Sequence, residues 1–176
     1  QRTPPHHPLP QHLGLTLNQH VLSYNPKLKA VVTQNIDGLH QAAGSKRVLE
    51  LHGNWTRLEC TGCGARSTID DFDEARAGRV PHCPSCSTVV RPDIVFYGEA
   101  LDPATLEGAV LAIAGADMLI VGGTSLAVYP AAGLIDYYQG GRLVLMNATP
   151  TPYDGRADLI IREPIGRVFA QIQGHV

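Results

Sequence analysis

Short aliphatic runs dominate the pattern of this chain. Ala30-Val31-Val32-Thr33, Val48-Leu49-Glu50-Leu51 and Met118-Leu-Ile-Val121 are each too brief for a helix, and they lack a regular polar alternation. Such runs predict strands buried on both faces, the signature of a parallel sheet. Arg142 to Met146 and Leu159 to Ile161 predict two more strands. Between them, Pro103 to Ala114 fits a helix, Ala131 to Tyr138 fits another with Pro130 near its first turn, and Ile165 to Ile172 closes the chain as a third. The alternation of strand and helix defines an α/β fold with a parallel sheet. Shorter helices are expected over Asp37–Gly44, with Gly44 as C-terminal cap, over Asp70–Ala77, and over Leu13–Tyr24. Pro92 argues against a central strand near the middle of the chain, so Ile94 to Tyr97 is expected to form an exposed edge or groove wall.

Bulk properties narrow the class. A length of 176 residues fits one domain, or one domain carrying a small insertion. No stretch reaches the ~18 apolar residues that suggest a membrane span. A net charge of −2 leaves no electrostatic footprint for nucleic acid. No charged region followed by an apolar one marks a secretory leader, so the expected compartment is cytoplasm. The opening dozen residues are rich in Pro and His and lack apolar periodicity, which predicts disorder. His6, His7 and His12 lie there, and the prolines between them oppose a fixed metal geometry.

Chemistry-bearing residues gather at strand ends, where open α/β sheets bind their ligands. The first strand stops at Gln34, Asn35 and Asp37, the second delivers His52 followed by Gly53, and Asn147 ends a later one. Gly122-Gly123-Thr124-Ser125 joins a strand to a helix, a turn whose backbone N–H groups can approach a phosphate or ribose. All four cysteines fall in two C-x-x-C pairs, Cys60/Cys63 and Cys83/Cys86, separated by 19 residues. That spacing suits a tetrahedral zinc ion, and disulfides or buried free thiols do not account for it. Four protein ligands leave no open position for water, so the ion is expected to be structural. His82 beside Cys83 is read as a bystander. The Ile94–Tyr97 edge could accept an extended peptide by strand addition, or simply lead out of the zinc lobe.

Taken in order, six segments resemble the sirtuin family of NAD-dependent protein-lysine deacylases, in their bacterial form. They are Thr33-Gln-Asn-Ile-Asp-Gly-Leu-His40, Glu50-Leu-His-Gly53, the four cysteines, Val90-Arg-Pro-Asp-Ile-Val-Phe-Tyr-Gly-Glu99, Gly123-Thr-Ser-Leu-Ala-Val-Tyr-Pro-Ala-Ala132, and Asn147. The resemblance runs from about residue 27 to the C-terminus. It implies a Rossmann-like NAD domain over 27–58 and 90–176, a zinc lobe over 59–89, and substrate lying between them. The implied reaction has the acetyl-lysine carbonyl oxygen attack the nicotinamide-ribose carbon of NAD, and it ends in nicotinamide, free lysine and O-acetyl-ADP-ribose. His52 is then the general base on a ribose hydroxyl, Asn35 orients the ribose or a water, and Asp37 binds the nicotinamide carboxamide. Gln34 and Ile36 line the same pocket. Gly123, Thr124 and Ser125 cradle the cofactor, with Asn147 near the adenine ribose and Ile165 near the adenine. Val95 holds acetyl-lysine through its backbone, and Phe96, Tyr97 and Gly98 continue the substrate wall. Tyr97 stands where many relatives carry Phe. His40 is read as a helix-surface or packing residue, and Asp93, Glu99 and Asp117 as turn or surface residues.

The chain departs from the family at its start. Nothing in residues 1–32 matches the Gly-Ala-Gly-x-Ser turn that cradles the NAD pyrophosphate, or the Pro-, Phe- and Arg-bearing loop after it. A parallel sheet incomplete at its N-terminal side is expected, with residues 1–26 an atypical or disordered segment. If each charge-assisted bond contributes ~1.5–3 kcal/mol, losing that turn costs NAD several kcal/mol of anchorage. The expectation is a zinc-binding chain with weak or no deacylase activity by itself. Two other readings stay open: a catalytically inactive zinc-ribbon scaffold, and a sirtuin-type ADP-ribosyltransferase. Preference for acetyl over other acyl groups is the family default only.

Overall fold

The computed structural model describes residues 27–172; the helix expected over Leu13–Tyr24 and the histidines of the opening segment lie outside them. Each aliphatic run forms a short strand. β1 (Val31–Thr33) and β2 (Val48–Glu50) pair in parallel, with Val31 opposite Val48 and Thr33 opposite Glu50. Between them Leu39–Ala42 makes the one-turn helix α1. Gly44 follows it with φ +94°, its N–H bonded to the Gln41 carbonyl at 2.9 Å, as a helix-terminating glycine requires.

The chain then enters an antiparallel sheet in the order β4-β3-β5, built from β3 (Gly53–Cys60), β4 (Arg66–Thr68) and β5 (Val90–Ile94). β5 lies on its edge, which is why Pro92 is tolerated opposite Leu58. The strand therefore runs over Val90–Ile94, and the edge expected over Ile94–Tyr97 becomes a turn beyond it. The single helix expected over Asp70–Ala77 is also two pieces, a tight turn at Ile69–Asp71 and α2 (Asp73–Arg76). Phe72 separates them with φ −130°, because its ring is drawn into a small core with Leu58, Cys60, Cys83 and Val90. Five buried residues cannot hold a lobe of this size by apolar burial alone.

The last part of the chain forms a second parallel sheet, β6-β7-β8, from β6 (Leu119–Gly122), β7 (Leu143–Met146) and β8 (Leu159–Ile161). Every residue of β7 is buried, as its unbroken Leu-Val-Leu-Met demands. Leu143 and Leu145 face the main core with Ala109 and Ile113 of α3 (Pro103–Ala114), while Val144 and Met146 meet Val168 and Phe169 of α4 (Ile165–Ile172). Asp102 caps α3 by accepting the Thr105 N–H at 2.7 Å, and Pro103 takes the first helical position. The helix expected over Ala131–Tyr138 winds instead as a tight i→i+3 segment over Ala131–Tyr137, where Gly133 weakens α-preference. Leu49 of β2 and Leu51 just beyond it join the core under α3, so one helix packs against both parallel sheets. Among the described residues β1 bonds only to β2, and β6 only to β7.

Candidate active site and metal centre

His52 sits at the corner between the first parallel sheet and the antiparallel one. The Leu51 N–H bonds to the Thr33 carbonyl at 2.9 Å, which carries the turn away from β1, and the His52 carbonyl accepts the Val95 N–H at 3.0 Å. Its ring Nδ1 lies 3.0 Å from the Gln34 carbonyl oxygen. A backbone carbonyl only accepts, so Nδ1 must carry the hydrogen, and the lone pair of the neutral ring is left on Nε2. An oriented, half-buried imidazole with Nε2 free is the arrangement a general base needs.

Gly53 makes this corner possible. It has φ +76°, and a Cβ on it would stand 2.0 Å from the Asp93 carbonyl oxygen. The Gln34–Gly38 loop wraps the same corner. Asn35 N–H bonds to Thr33 Oγ1 at 3.0 Å, Leu39 N–H to Asp37 Oδ1 at 3.0 Å, and the Ile36 carbonyl accepts the Trp55 N–H at 3.1 Å. The Asn35 and Asp37 side chains are exposed, while Gln34 and Ile36 are half-buried. His40 is half-buried, and desolvation lowers its pKa against the pull of Asp37 and Glu50.

Beyond β5 the chain turns through Val95, Phe96, Tyr97 and Gly98. Val95 N–H is spent on His52, so only its carbonyl is left to meet a ligand. The Arg91 guanidinium grips Glu99 through both Nη atoms, at 2.8 and 2.9 Å, and donates to the Ile94 carbonyl at 3.1 Å. Glu99 Oε2 accepts the Phe96 N–H at 3.0 Å, and the guanidinium carbon lies 4.8 Å from the Phe96 ring centroid. This knot, led by Arg91, lowers the Glu99 pKa to about 2. Glu99 is thus the tie of the turn, a role beyond the surface residue expected. Phe96 is half-exposed and Tyr97 projects fully into solvent.

A second group of residues ends the other parallel sheet. Gly123 has φ +66° at the carboxyl end of β6, with nothing within 4 Å of the position a Cβ would take. That open backbone is what close approach of a ligand requires. Thr124 and Ser125 follow, and Thr124 Oγ1 accepts the Leu126 N–H at 3.2 Å. Ile165 Cδ1 stands 2.5 Å from the Cβ position of Gly122, which seats Ile165 beside the glycine turn. Asn147 leaves β7 with its side-chain amide turned to the Thr149 carbonyl at 3.0 Å.

The four cysteine sulfurs all lie within 4.8 Å of one another, with Cys60–Cys86 at 3.4 Å and Cys63–Cys83 at 3.7 Å. Zinc–sulfur bonds of ~2.3 Å put tetrahedral sulfurs about 3.8 Å apart, so the donor set fits that ion. The Gly62 and Cys63 N–H groups point at Cys60 Sγ, at 3.4 and 3.5 Å, as they do around a thiolate. The Thr88 hydroxyl, with its backbone N–H, brings the Cys86 thiol down to about 6. At Cys63 the Ala65 N–H acts to lower the pKa, but the surrounding thiols outweigh it and push it up to about 12. A divalent cation relieves that mutual repulsion. His82 pairs with Val89 across the lobe and is not among the clustered ligands.

Sequence reasoning passed over three residues at the corner: Glu50, Asn54 and Arg57. Asn54 is 5% exposed and donates to Glu50 Oε1 at 2.7 Å, and Arg57 joins Glu50 at 2.6 Å. The available signal was a carboxylate inside the aliphatic run of β2 and an Asn two residues beyond His52.

Fold and site together define a Rossmann-like protein with a four-cysteine metal lobe and an oriented histidine where the two meet. The Sir2 family profile matches residues 5–130, and the chain belongs to that family. It is 51% identical over 146 residues to the NAD-dependent protein deacetylase of Clostridium acetobutylicum, covering 83% of this chain and 59% of the relative. The protein of the same name from Clostridium perfringens is 52% identical over 147 residues, with the same coverage. The chain therefore spans about three-fifths of the length of these relatives. Among solved structures, a Sir2–p53 peptide–NAD+ complex superposes with a TM-score of 0.81 at 39% identity, over 89% of this chain and 68% of that one. Sir2 bound to an acetylated peptide gives 0.82 at 38% identity, over 89% and 69%.

Proposed function

We propose that this chain carries the site of an NAD-dependent protein-lysine deacetylase, releasing nicotinamide, free lysine and O-acetyl-ADP-ribose. The observation that carries the reading is the Nδ1-anchored His52 at the junction of the two sheets, whose Nε2 has no hydrogen-bond partner among the described residues. NAD, when bound, would supply the ribose carbon that takes up the acetyl-lysine carbonyl oxygen as its bond to nicotinamide breaks, and water would add to the acyl carbon as lysine is released. His52 takes a proton from a ribose hydroxyl at Nε2 and holds it until the acyl group has moved. Asn35 and Asp37, exposed on the adjoining loop, orient the ribose and the carboxamide, with Gln34 and Ile36 walling the pocket. Gly123, Thr124 and Ser125 cradle the remainder of the dinucleotide, with Asn147 and Ile165 at its adenosine end. The Val95 carbonyl receives acetyl-lysine, and Phe96, Tyr97 and Gly98 continue that wall. Zinc on Cys60, Cys63, Cys83 and Cys86 holds the lobe and takes no part in the chemistry.

Support comes from the NAD, acetylated-peptide and deacetylated-peptide complexes named for the structural relatives, and from the names of the sequence relatives. In that reading residues 27–58 and 90–176 serve the cofactor and 59–89 the metal. A cytoplasmic place of action goes with four cysteines that form no disulfide and must stay reduced to hold a metal. No helix among the described residues is long and apolar enough to cross a membrane.

Incubating the zinc-loaded chain with NAD and an acetylated peptide tests the proposal. Turnover, even at the weak rate expected of this chain by itself, should release nicotinamide and free lysine equally, with His52→Ala slower by about 10²–10⁴-fold. Labelled protein in place of free lysine indicates ADP-ribosyl transfer, and no turnover with zinc retained refutes the assignment for this chain.

A further inference from the structure

Glu50 closes β2, two residues before His52, and its side chain is only 8% exposed. Both carboxylate oxygens are engaged. Oε1 accepts the Asn54 amide at 2.7 Å and Oε2 the Arg57 guanidinium at 2.6 Å. Arg57 reaches on through Nε to Asp93 Oδ2 at 3.0 Å. Asn54 in turn accepts the Thr56 N–H at 2.9 Å and its hydroxyl at 2.7 Å. The Asn54 amide also abuts the loop bearing Asn35 and Asp37, since its nitrogen stands 3.1 Å from the Cβ position of Gly38.

The side chains of Glu50, Asn54, Arg57 and Asp93 tie β2 of one sheet to β3 and β5 of another, and the two sheets share no strand. His52 lies inside the tie, between Glu50 and Asn54 in sequence. Glu50 is buried but Arg57 and Asp93 are each about half exposed, so these ion pairs add little net stability by themselves. Directional carboxylate and guanidinium contacts add an angular constraint to the one that apolar packing supplies. We propose that Glu50, with Asn54, Arg57 and Asp93, forms a clamp of positioning residues. It sets the angle between the two sheets, and so the distance of His52 Nδ1 from the Gln34 carbonyl and the placement of the Val95 carbonyl. The kinetic part of this inference rests on the deacetylase reading; the structural part does not.

The test uses the full zinc-loaded chain and its Glu50→Gln, Arg57→Met, Arg57→Lys and Asp93→Asn variants, with melting temperature and zinc content measured for each. Nitrogen-15 NMR of the His52 ring at alkaline pH is the first readout. The parent is expected to show one tautomer with Nδ1 protonated, and Glu50→Gln a shift toward the averaged pair. In turnover, a misplaced base lowers kcat by about 10–100-fold, while KM for NAD stays within roughly threefold. Arg57→Lys, which keeps a cation for Glu50, recovers part of the activity lost in Arg57→Met. The Glu50→Gln/Arg57→Met double variant is no slower than the slower single one, because both break one unit. Asp93→Asn alters a half-exposed residue, so it decides the matter if Glu50→Gln fails to fold. An unchanged ring spectrum, strictly additive kinetics, or activity lost only in step with zinc or folding overturns the clamp. If the parent chain shows no turnover, the deacetylase reading fails for this chain, and the ring spectrum alone judges the clamp.

Discussion

Replacing Gly53 by alanine puts the corner geometry to a direct measurement. At φ +76° an L-residue bears roughly 1–2 kcal/mol of left-handed strain. The added Cβ would also lie 2.0 Å from the Asp93 carbonyl oxygen, 2.9 Å from its carbon and 3.0 Å from Ile94 Cα, all of them backbone atoms that cannot rotate away. The β3–β5 pairing must open by more than an ångström, an overpacking penalty of about 1–3 kcal/mol. The total of about 2–5 kcal/mol is a large part of the 5–15 kcal/mol that holds a typical domain. At ~2–4 °C per kcal/mol, melting should fall by about 4–20 °C. Gly123→Ala is the internal control. It shares the positive φ, at +66°, but nothing stands within 4 Å of its Cβ position. Strain of ~1–2 kcal/mol should then lower melting by only about 2–8 °C. Circular dichroism melts of both variants, zinc-loaded, decide the matter. Gly53→Ala melting within 2 °C of the parent, or Gly123→Ala falling at least as far as Gly53→Ala, refutes the steric reasoning.

Removing zinc with a strong chelator should unfold the lobe built on Leu58, Phe72 and Val90 and expose apolar surface to a dye such as ANS, and an unchanged melt after complete removal counts against a structural ion. Acid should leave the Arg91–Glu99 knot intact far below the usual carboxylate range. Because the folded pKa is depressed, from 4.5 to about 2, its contribution is present above 4.5 and disappears as pH falls through about 2. NMR of the Phe96 amide, which donates to Glu99, should follow that transition and lose it in Glu99→Gln. Truncating the α3 cap, Asp102→Ala, should lower the urea midpoint of unfolding, with NAD binding unaltered.

Much of the fold was legible because local pattern and final burial agree. The unbroken Leu-Val-Leu-Met of β7 reads as a strand covered on both faces, and the helix expected over Pro103–Ala114 is α3 residue for residue. Expectations failed where a distant contact overrode local preference. Phe72 broke the helix expected over Asp70–Ala77 because the small metal lobe needs its ring, and β5 ended at Ile94 because its partner β3 turns away at Gly53. His52 was legible as a candidate base, but its tautomer was not, since that depends on a carbonyl 18 residues earlier in the chain. Glu50 and Arg57 looked like ordinary polar members of strands, and only their meeting across the corner gives them meaning.

By itself the sequence determined the residue types at the strand ends, the paired cysteines and the order of the segments, because each is fixed by spacing along one chain. Tertiary structure alone decided that Gln34 orients His52, that Val95 spends its N–H on the same residue, and that Gly53 must be a glycine. Each of those depends on two backbones meeting at the corner, where a hydrogen bond or a 2.0 Å approach has no counterpart in linear spacing.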